Sequence, residues 1–352
     1  MNVTIALLLA QDGLSNGVIY ALLAISILLV FLITRVLLVP QGEFVVLAAL
    51  TMVQLQKGAG PSVIWLLLAL AVTAASMSSL RAWRTGEWRR LPAVLAFTLG
   101  AVLFGAAASA TPLLTTAGAA PHFALTTMAT LVLVAPLGPL LYWSAFEGIA
   151  RASILTLLFA AVAVHYVLQG SMLPLFGPEG FQAEALISGR VDVGFTRVSL
   201  QLLLLCAIFV ATVGALWMFI GRTIAGKILR ATAVNARGAR IVGIRPETSG
   251  AIAFGLASLI GAVSGVLIAP LTTLYYDSGF LLALKGFVGA VTGGLASFPL
   301  AAAGSLLIGV LEAMFSFQFS ALKDSLVFAA LLPILLILST RQLSDRDTEA
   351  EE

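Results

Sequence analysis

The chain has 352 residues, of which 60% are hydrophobic and only 10% charged, with a mean hydropathy of +1.08. Soluble domains carry roughly a quarter charged residues, so the composition excludes a water-soluble globular protein and describes an integral membrane protein. The net charge of +3 is small, but the cations gather in a few links between apolar runs. A single cysteine, Cys206, excludes an intrachain disulfide and a multi-cysteine metal site, and it reads as a packing residue.

The apolar runs are about 20 residues long rather than alternating segments of about 10, which predicts helices and not a barrel. Residues 1–12 have no basic n-region and read as a short leader to a first span at 14–34, with Ser15 and Asn16 as N-cap residues. Span two, 36–56, carries Pro40-Gln41-Gly42-Glu43 near its start. Two readings fit. One is a broken helix lining a pathway, because irregular backbone at membrane depth needs protein or a water-filled cavity around it. The other is a kinked entry with Glu43 near the interface.

Spans at 61–80 and 91–110 flank the basic loop 81–90, and spans at 123–143 and 153–170 follow. Residues 171–198, with Pro174, Gly177 and Pro178, read as an ordered external loop. A span at 199–220 leads into 221–246, which holds six cations (Arg222, Lys227, Arg230, Arg237, Arg240, Arg245) and no acid. Next come a span at 249–271, two apolar segments at 281–297 and 300–317 separated by Phe298-Pro299, and a last span at 325–340. The pair reads as a tight hairpin or as partly re-entrant. The acidic tail 341–352 reads as a solvated end.

With 221–247 in the cytoplasm, 14 of the 19 Lys and Arg residues fall on that side, as the positive-inside rule requires. The expected fold is therefore an all-α, polytopic integral membrane protein. It has about ten transmembrane or re-entrant segments, an external N-terminus and a cytoplasmic C-terminus.

Little catalytic chemistry is spelled. Gly221 to Ile228 nearly matches a phosphate loop, but Ile228 stands where the magnesium-binding hydroxyl is needed and the segment follows a membrane helix. There is no His-Glu-x-x-His zinc motif, and the two histidines, His122 and His165, are far apart. His165 reads as a hydrogen-bonded packing residue rather than a relay. Ionisable residues within spans carry a functional hypothesis by default; Glu43, Lys285 and Glu312 qualify. Lys285 and Glu312 are expected at similar depth and able to pair, either as a structural ion pair or as a solute contact. Gly261/Gly265 and Gly289/Gly293 are G-x-x-x-G spacings that predict close helix packing, within the chain or at a partner.

Three blocks resemble the permease subunits of the branched-chain (hydrophobic) amino acid ABC importers. The first is Asn16-Gly-Val-Ile-Tyr20 with Pro40-Gln41-Gly42-Glu43-Phe44. The second runs from Arg222-Thr223 through Arg230-Ala231, Asn235 and Ala239 to Val242-Gly243-Ile244. The third is Gly279 to Leu295, with Lys285, continuing through Pro299, Gly309 and Glu312. Three departures stand out: Gln41 replaces a usual histidine, Ala236-Arg237 replaces a common Pro-Glu, and the usual tail motif is absent. Some sixty residues between Phe44 and Glu147 exceed the family's expected length. They imply an inserted helical hairpin at 57–122 within a single permease domain, 1–340.

The resemblance implies half of a translocation pathway for a small solute such as a branched-chain amino acid, amide, urea or small organic acid. It assigns Arg230, Ala231, Asn235, Arg237, Ala239, Arg240 and Gly243 to ATPase coupling, and Asn16, Tyr20, Gln41, Gly42, Glu43, Lys285 and Glu312 to the pathway. It implies a second permease subunit or second copy, two cytoplasmic ATPases that bind the ATP and Mg, and an external or periplasmic solute-binding protein. The setting is a bacterial inner membrane. This chain itself has no cofactor, no catalytic or nucleic-acid role. From the residues alone, Arg230 to Ile244 forms an amphipathic helix, with Ala231, Val234, Ala239, Val242 and Ile244 on the apolar side. Such a helix docks in a partner's groove or rests at anionic lipid, and the resemblance favours docking. A stand-alone secondary transporter or channel is the alternative, and a membrane scaffold a third; a secondary transporter calls for coupling charges in its spans and an internal repeat.

Overall fold

The computed structural model describes residues 3–86, 91–110, 121–185, 187, 189–192, 197–329 and 333. Seven helical stretches among them are long and apolar enough to cross a membrane: Leu7–Thr34, Val63–Arg84, Ala124–Ile149, Ile154–Phe176, Leu200–Arg222, Pro246–Ile268 and Phe298–Gln318. Leu91–Gly105 and Gly279–Thr292 are shorter apolar helices. The one sheet among the described residues is a small antiparallel hairpin, β1 (Arg190–Asp192) with β2 (Arg197–Ser199). The protein is thus all-α and polytopic, as its hydropathy predicts. By internal packing the chain divides into two compact units. Unit 1 comprises Met1–Leu28, Ile187–Ala211 and Leu284–Glu352; unit 2 comprises Leu29–Leu186 and Thr212–Ala283.

Unit 2 is built around α11 (Pro246–Ile268), whose small residues let other backbones come close. A Cβ on Gly265 would run into the Val45 carbonyl, and one on Gly261 would sit 2.8 Å from Phe44 Cβ. The first G-x-x-x-G spacing is therefore the seat of α2 (Gln41–Gln56), within the chain. Facing α11 elsewhere are α5 (Pro121–Val134), α6 (Leu137–Leu141) and a π-helical turn, Tyr142–Phe146.

Span two is not a continuous crossing. α1 (Val3–Thr34) ends at Arg35, which takes a left-handed φ of 61°. Residues 35–40 are non-helical, yet Val36, Leu38 and Pro40 are buried. Helix α2 begins only at Gln41 and has 16 residues. At 1.5 Å per residue that is about 24 Å, short of a hydrocarbon core of about 30 Å. From Val36 to Pro40 the irregular stretch is buried or half-buried in protein, the surroundings that non-helical backbone at membrane depth requires.

Helices α3 (Val63–Thr85) and α4 (Leu91–Ala110) pack on each other as a hairpin. Trp65 and Trp83 are 70% and 73% exposed. Their spacing puts them about 27 Å apart along the axis, the separation expected of interfacial anchors on one crossing. Arg81 fastens the hairpin by donating to the Glu147 carboxylate and the Trp143 carbonyl.

Unit 1 is organised by α13 (Phe298–Gln318). A Cβ on Gly309 would overlap the Gly17 backbone, and one on Gly13 would lie 2.7 Å from Val310 Cα, so α1 and α13 meet backbone to backbone. The turn into α13 spans residues 293–297, where Gly294 and Leu295 take φ of 63° and 53°. Phe298-Pro299, expected to separate the two segments, instead opens α13, because proline fits a helix's first turn.

Other boundaries also move. α1 is helical from Val3, so residues expected as a leader belong to it, and Ser15 lies mid-helix, donating to the Gln11 carbonyl instead of capping. Asn16 is likewise mid-helix. α7 (Ile154–Phe176) runs six residues beyond its predicted end, taking Pro174 with it, and closes at Gly177 with φ 84°. Of the last predicted span only α14 (Lys323–Ala329) and residue 333 are described. The remainder, with the acidic tail, lies outside the described residues.

Candidate functional site

The basic link 221–246 is almost wholly helical. α8 (Leu200–Arg222) ends at Thr223, whose hydroxyl accepts from Gly226 N at 2.9 Å and caps α9 (Ile224–Val234). A Cβ on Gly226 would strike the Phe219 and Ile220 backbone, so this corner closes on glycine alone. The Lys227 N–H is spent on the Thr223 carbonyl. The near-phosphate-loop spelling therefore straddles the α8–α9 corner, with its Gly226 and Lys227 N–H groups bonded to Thr223, and forms no cradle.

α9 stops at Asn235, whose Oδ1 accepts from Arg237 N at 3.0 Å and Gly238 N at 2.9 Å, capping α10 (Ala236–Ile241). α10 then closes in a complete Schellman turn. Gly243 N reaches Arg240 O at 3.0 Å, Ile244 N reaches Ala239 O at 2.9 Å, and Gly243 takes φ 84°. The single amphipathic helix expected over Arg230 to Ile244 is thus two short helices, because an asparagine side chain offers the backbone a cap in mid-run. Of the expected apolar side only Ala239 is buried. Val234, Ile241 and Val242 are 86%, 87% and 73% exposed. Arg240 is held by Glu247 at 2.7 Å, and Thr232 bonds Ser249 at 2.8 Å, fixing α9 to α11. Ala231 is half-buried and Arg230 exposed, its guanidinium 3.5 Å from the Gly221 carbonyl. Arg237 is exposed and makes no ion pair among the described residues.

At the start of α2, Gln41 Nε2 donates to the Ala257 carbonyl at 2.9 Å. Glu43 is fully buried, its Oε1 2.8 Å from His165 Nδ1 on α7. It also abuts Gly279 at the first residue of α12 (Gly279–Thr292), and Gly42 is seated on the Gly279 backbone. Glu43 thus sits in the first turn of one helix and against the N-terminus of another, both favourable places for an anion. Glu43 is enclosed by protein. Its pairing with His165 had no local sequence signal, because the two residues lie on separate helices. His165 is held between Tyr166 and Phe280, each ring 5.0 Å away.

In unit 1 the expected contact between Lys285 and Glu312 is present: Nζ lies 2.6 Å from Oε1. Sequence reasoning missed a third member, Asp324 on α14, whose Oδ1 is 2.8 Å from the same ammonium. The Tyr20 ring centroid is 5.6 Å from Nζ. Asn16, a little over one turn before Tyr20 on α1, is half-buried.

The profile of the family described as branched-chain amino acid transport system / permease component matches residues 9–339. The chain belongs to this permease family. The "High-affinity branched-chain amino acid transport system permease protein LivH" of Salmonella typhimurium is 29% identical over 213 residues, covering 58% of this chain and 69% of LivH. LivH of Escherichia coli is 28% identical over the same length. The corresponding permease protein BraD of Pseudomonas aeruginosa is 32% identical over 155 residues, 43% of this chain and 49% of BraD. No solved structure matches the chain. As a member of the permease family it is a transport component and a multi-pass membrane protein. The α9–α10 link, the α2 break and the Lys285 cluster all lie within the matched residues.

Proposed function

We propose that the chain is the membrane-spanning permease subunit of an ATP-binding-cassette importer in a bacterial inner membrane, and that it forms half of a pathway for a branched-chain amino acid or a similar small solute. It pairs with a second permease subunit or a second copy, and an external solute-binding protein delivers the solute. Two cytoplasmic ATPases bind and hydrolyse the ATP. This chain contributes path and lever.

The α9–α10 link carries this reading. A capped pair of short helices holds three exposed aliphatic side chains beside the exposed Arg237, and Thr232–Ser249 ties it to the central helix α11. Exposed Val, Ile and Val at a polar tip suit insertion in a partner's groove. A push on that groove reaches α11 through a short, hydrogen-bonded path, and α11 seats the broken helix α2. ATP-driven closure of the partners then moves one rigid element against another, as alternating access requires.

The test is capture of ATPase subunits by the tagged permease, with ATP-dependent uptake measured in the same cells. Gly243→Trp destroys the left-handed turn that ends α10, and Arg230→Glu reverses a charge at the tip. Both variants are expected to insert normally and to reduce uptake about tenfold or more while ATP hydrolysis continues. Uptake at the parental rate in both variants, or uptake by the purified chain without ATPases, would refute the reading.

A further inference from the structure

The Lys285 cluster holds two carboxylates against one ammonium. Glu312 is 5% exposed, and its Oε2 has no hydrogen-bond partner among the described residues. Lys285 is 7% exposed and Tyr20 4%. Around the ammonium stand Glu312 Oε1 at 2.6 Å, Asp324 Oδ1 at 2.8 Å and the Tyr20 ring at 5.6 Å. Two carboxylates and an aromatic face are the parts from which a protein builds a receptor for a primary ammonium ion. A structural ion pair needs one carboxylate; the second, on the partly exposed Asp324, leaves the cluster with one negative charge in excess. The Asp324 side chain is 38% exposed, so the cage opens on that side, whereas Glu312 and Tyr20 close the other.

We propose that Tyr20, Glu312 and Asp324 form a primary-ammonium subsite in which Lys285 stands as a built-in occupant, displaced by the ammonium group of a zwitterionic solute. This rests on the transport reading and adds to it a place where the membrane subunit itself reads the solute. The incoming ammonium takes the two carboxylates and the tyrosine face. Lys285, released, turns its charge to the solute's carboxylate. The net charge of the cluster is the same before and after, because the solute brings one ammonium and one carboxylate that are each matched by a group already there. A solute with only a carboxylate leaves Lys285 nothing to yield its place to, and one with only an ammonium strands the lysine. The subsite therefore favours α-amino acids over amides, urea and organic acids.

Calorimetric titration of the purified full chain in nanodiscs with leucine, isoamylamine and isocaproate tests this. Leucine is expected to bind tightest. Asp324→Asn should weaken leucine and isoamylamine about tenfold or more and leave isocaproate unchanged, and Asp324→Glu should restore leucine binding. The thermal unfolding of Asp324→Asn without ligand should match the parent, which separates recognition from support of the fold. Equal leucine binding by Asp324→Asn, isocaproate binding as tight as leucine, or no leucine binding by the parent chain would each overturn the subsite. ATPase capture measured on the same preparations keeps the two claims apart. Capture with no ammonium selectivity removes the subsite alone, and loss of capture removes the transport reading.

Discussion

Lys285 and Glu312 are nearly enclosed, so their contact differs in kind from an exposed pair. Removing one partner leaves a charge without its counter-ion in apolar surroundings, which costs about 3–5 kcal/mol in protein interiors. Asp324 keeps Lys285 partly compensated, so Glu312→Gln is expected at the lower end, about 3 kcal/mol, read as a fall in unfolding free energy in mild detergent. Asp324→Asn, at a site 38% exposed, should stay within about 1 kcal/mol of the parent. The ordering of the two variants is the informative result, because it reports which carboxylate holds the fold and which is free for other work. The Lys285–Glu312 pair was legible in the sequence, since two charges in apolar segments have few ways to avoid each other. Asp324 was not, because it follows Lys323 in a short polar link and reads there as an ordinary solvated acid.

Among the elements, α2 and α11 make the tightest seam of unit 2, with the α2 backbone lying directly over Gly261 and Gly265. Gly265→Leu must push the Val45 carbonyl away, and overpacking of this kind costs about 1–3 kcal/mol or more. Gly214→Leu on α8 meets open space and should be neutral or slightly stabilising; unfolding of both variants in detergent compares the two sites. The α3–α4 hairpin is held near the C-terminal end of α3 by Arg81, shared between Glu147 and the Trp143 carbonyl. Arg81→Ala is expected to raise hydrogen exchange in residues 78–85 and 91–100 severalfold while exchange across α11 is unchanged. Helix existence was readable from hydropathy almost throughout. Helix ends were not, because a run of apolar residues marks only what must be buried from water. The α10 boundary depends on one asparagine side chain folding back on its own backbone, and nothing in hydropathy records that.

For the whole molecule, the asymmetry of Lys and Arg predicts that the α9–α10 link faces the cytoplasm. Replacing Cys206 with alanine and introducing Arg237→Cys gives a single exposed thiol at the link's tip. It should react with a membrane-impermeant maleimide only in inside-out vesicles; labelling of intact cells would reverse the orientation. The proposed division of labour starts from the sequence, which spells no motif for hydrolysis and carries a basic link between apolar runs. Which charges in that link are free was hidden, because Arg240 and Arg237 look equivalent until Glu247 is folded back onto the first of them.

The short, broken second span has a consequence for how the chain is made. A helix of 16 residues that carries a glutamate in its first turn has poor reason to stay in lipid by itself. α5 and α7 emerge first and cover part of it, but its most extensive partner, α11, emerges from the ribosome only about two hundred residues later, at a synthesis rate of about 5–20 residues per second. For on the order of ten seconds the nascent chain must hold α2 only partly seated, at the membrane surface or sheltered by the insertion machinery. Its entry therefore belongs to the folding of the completed bundle and not to the serial insertion of spans. Mutations that loosen the α11 groove should then appear first as poor yield of inserted protein, before any defect in transport is seen.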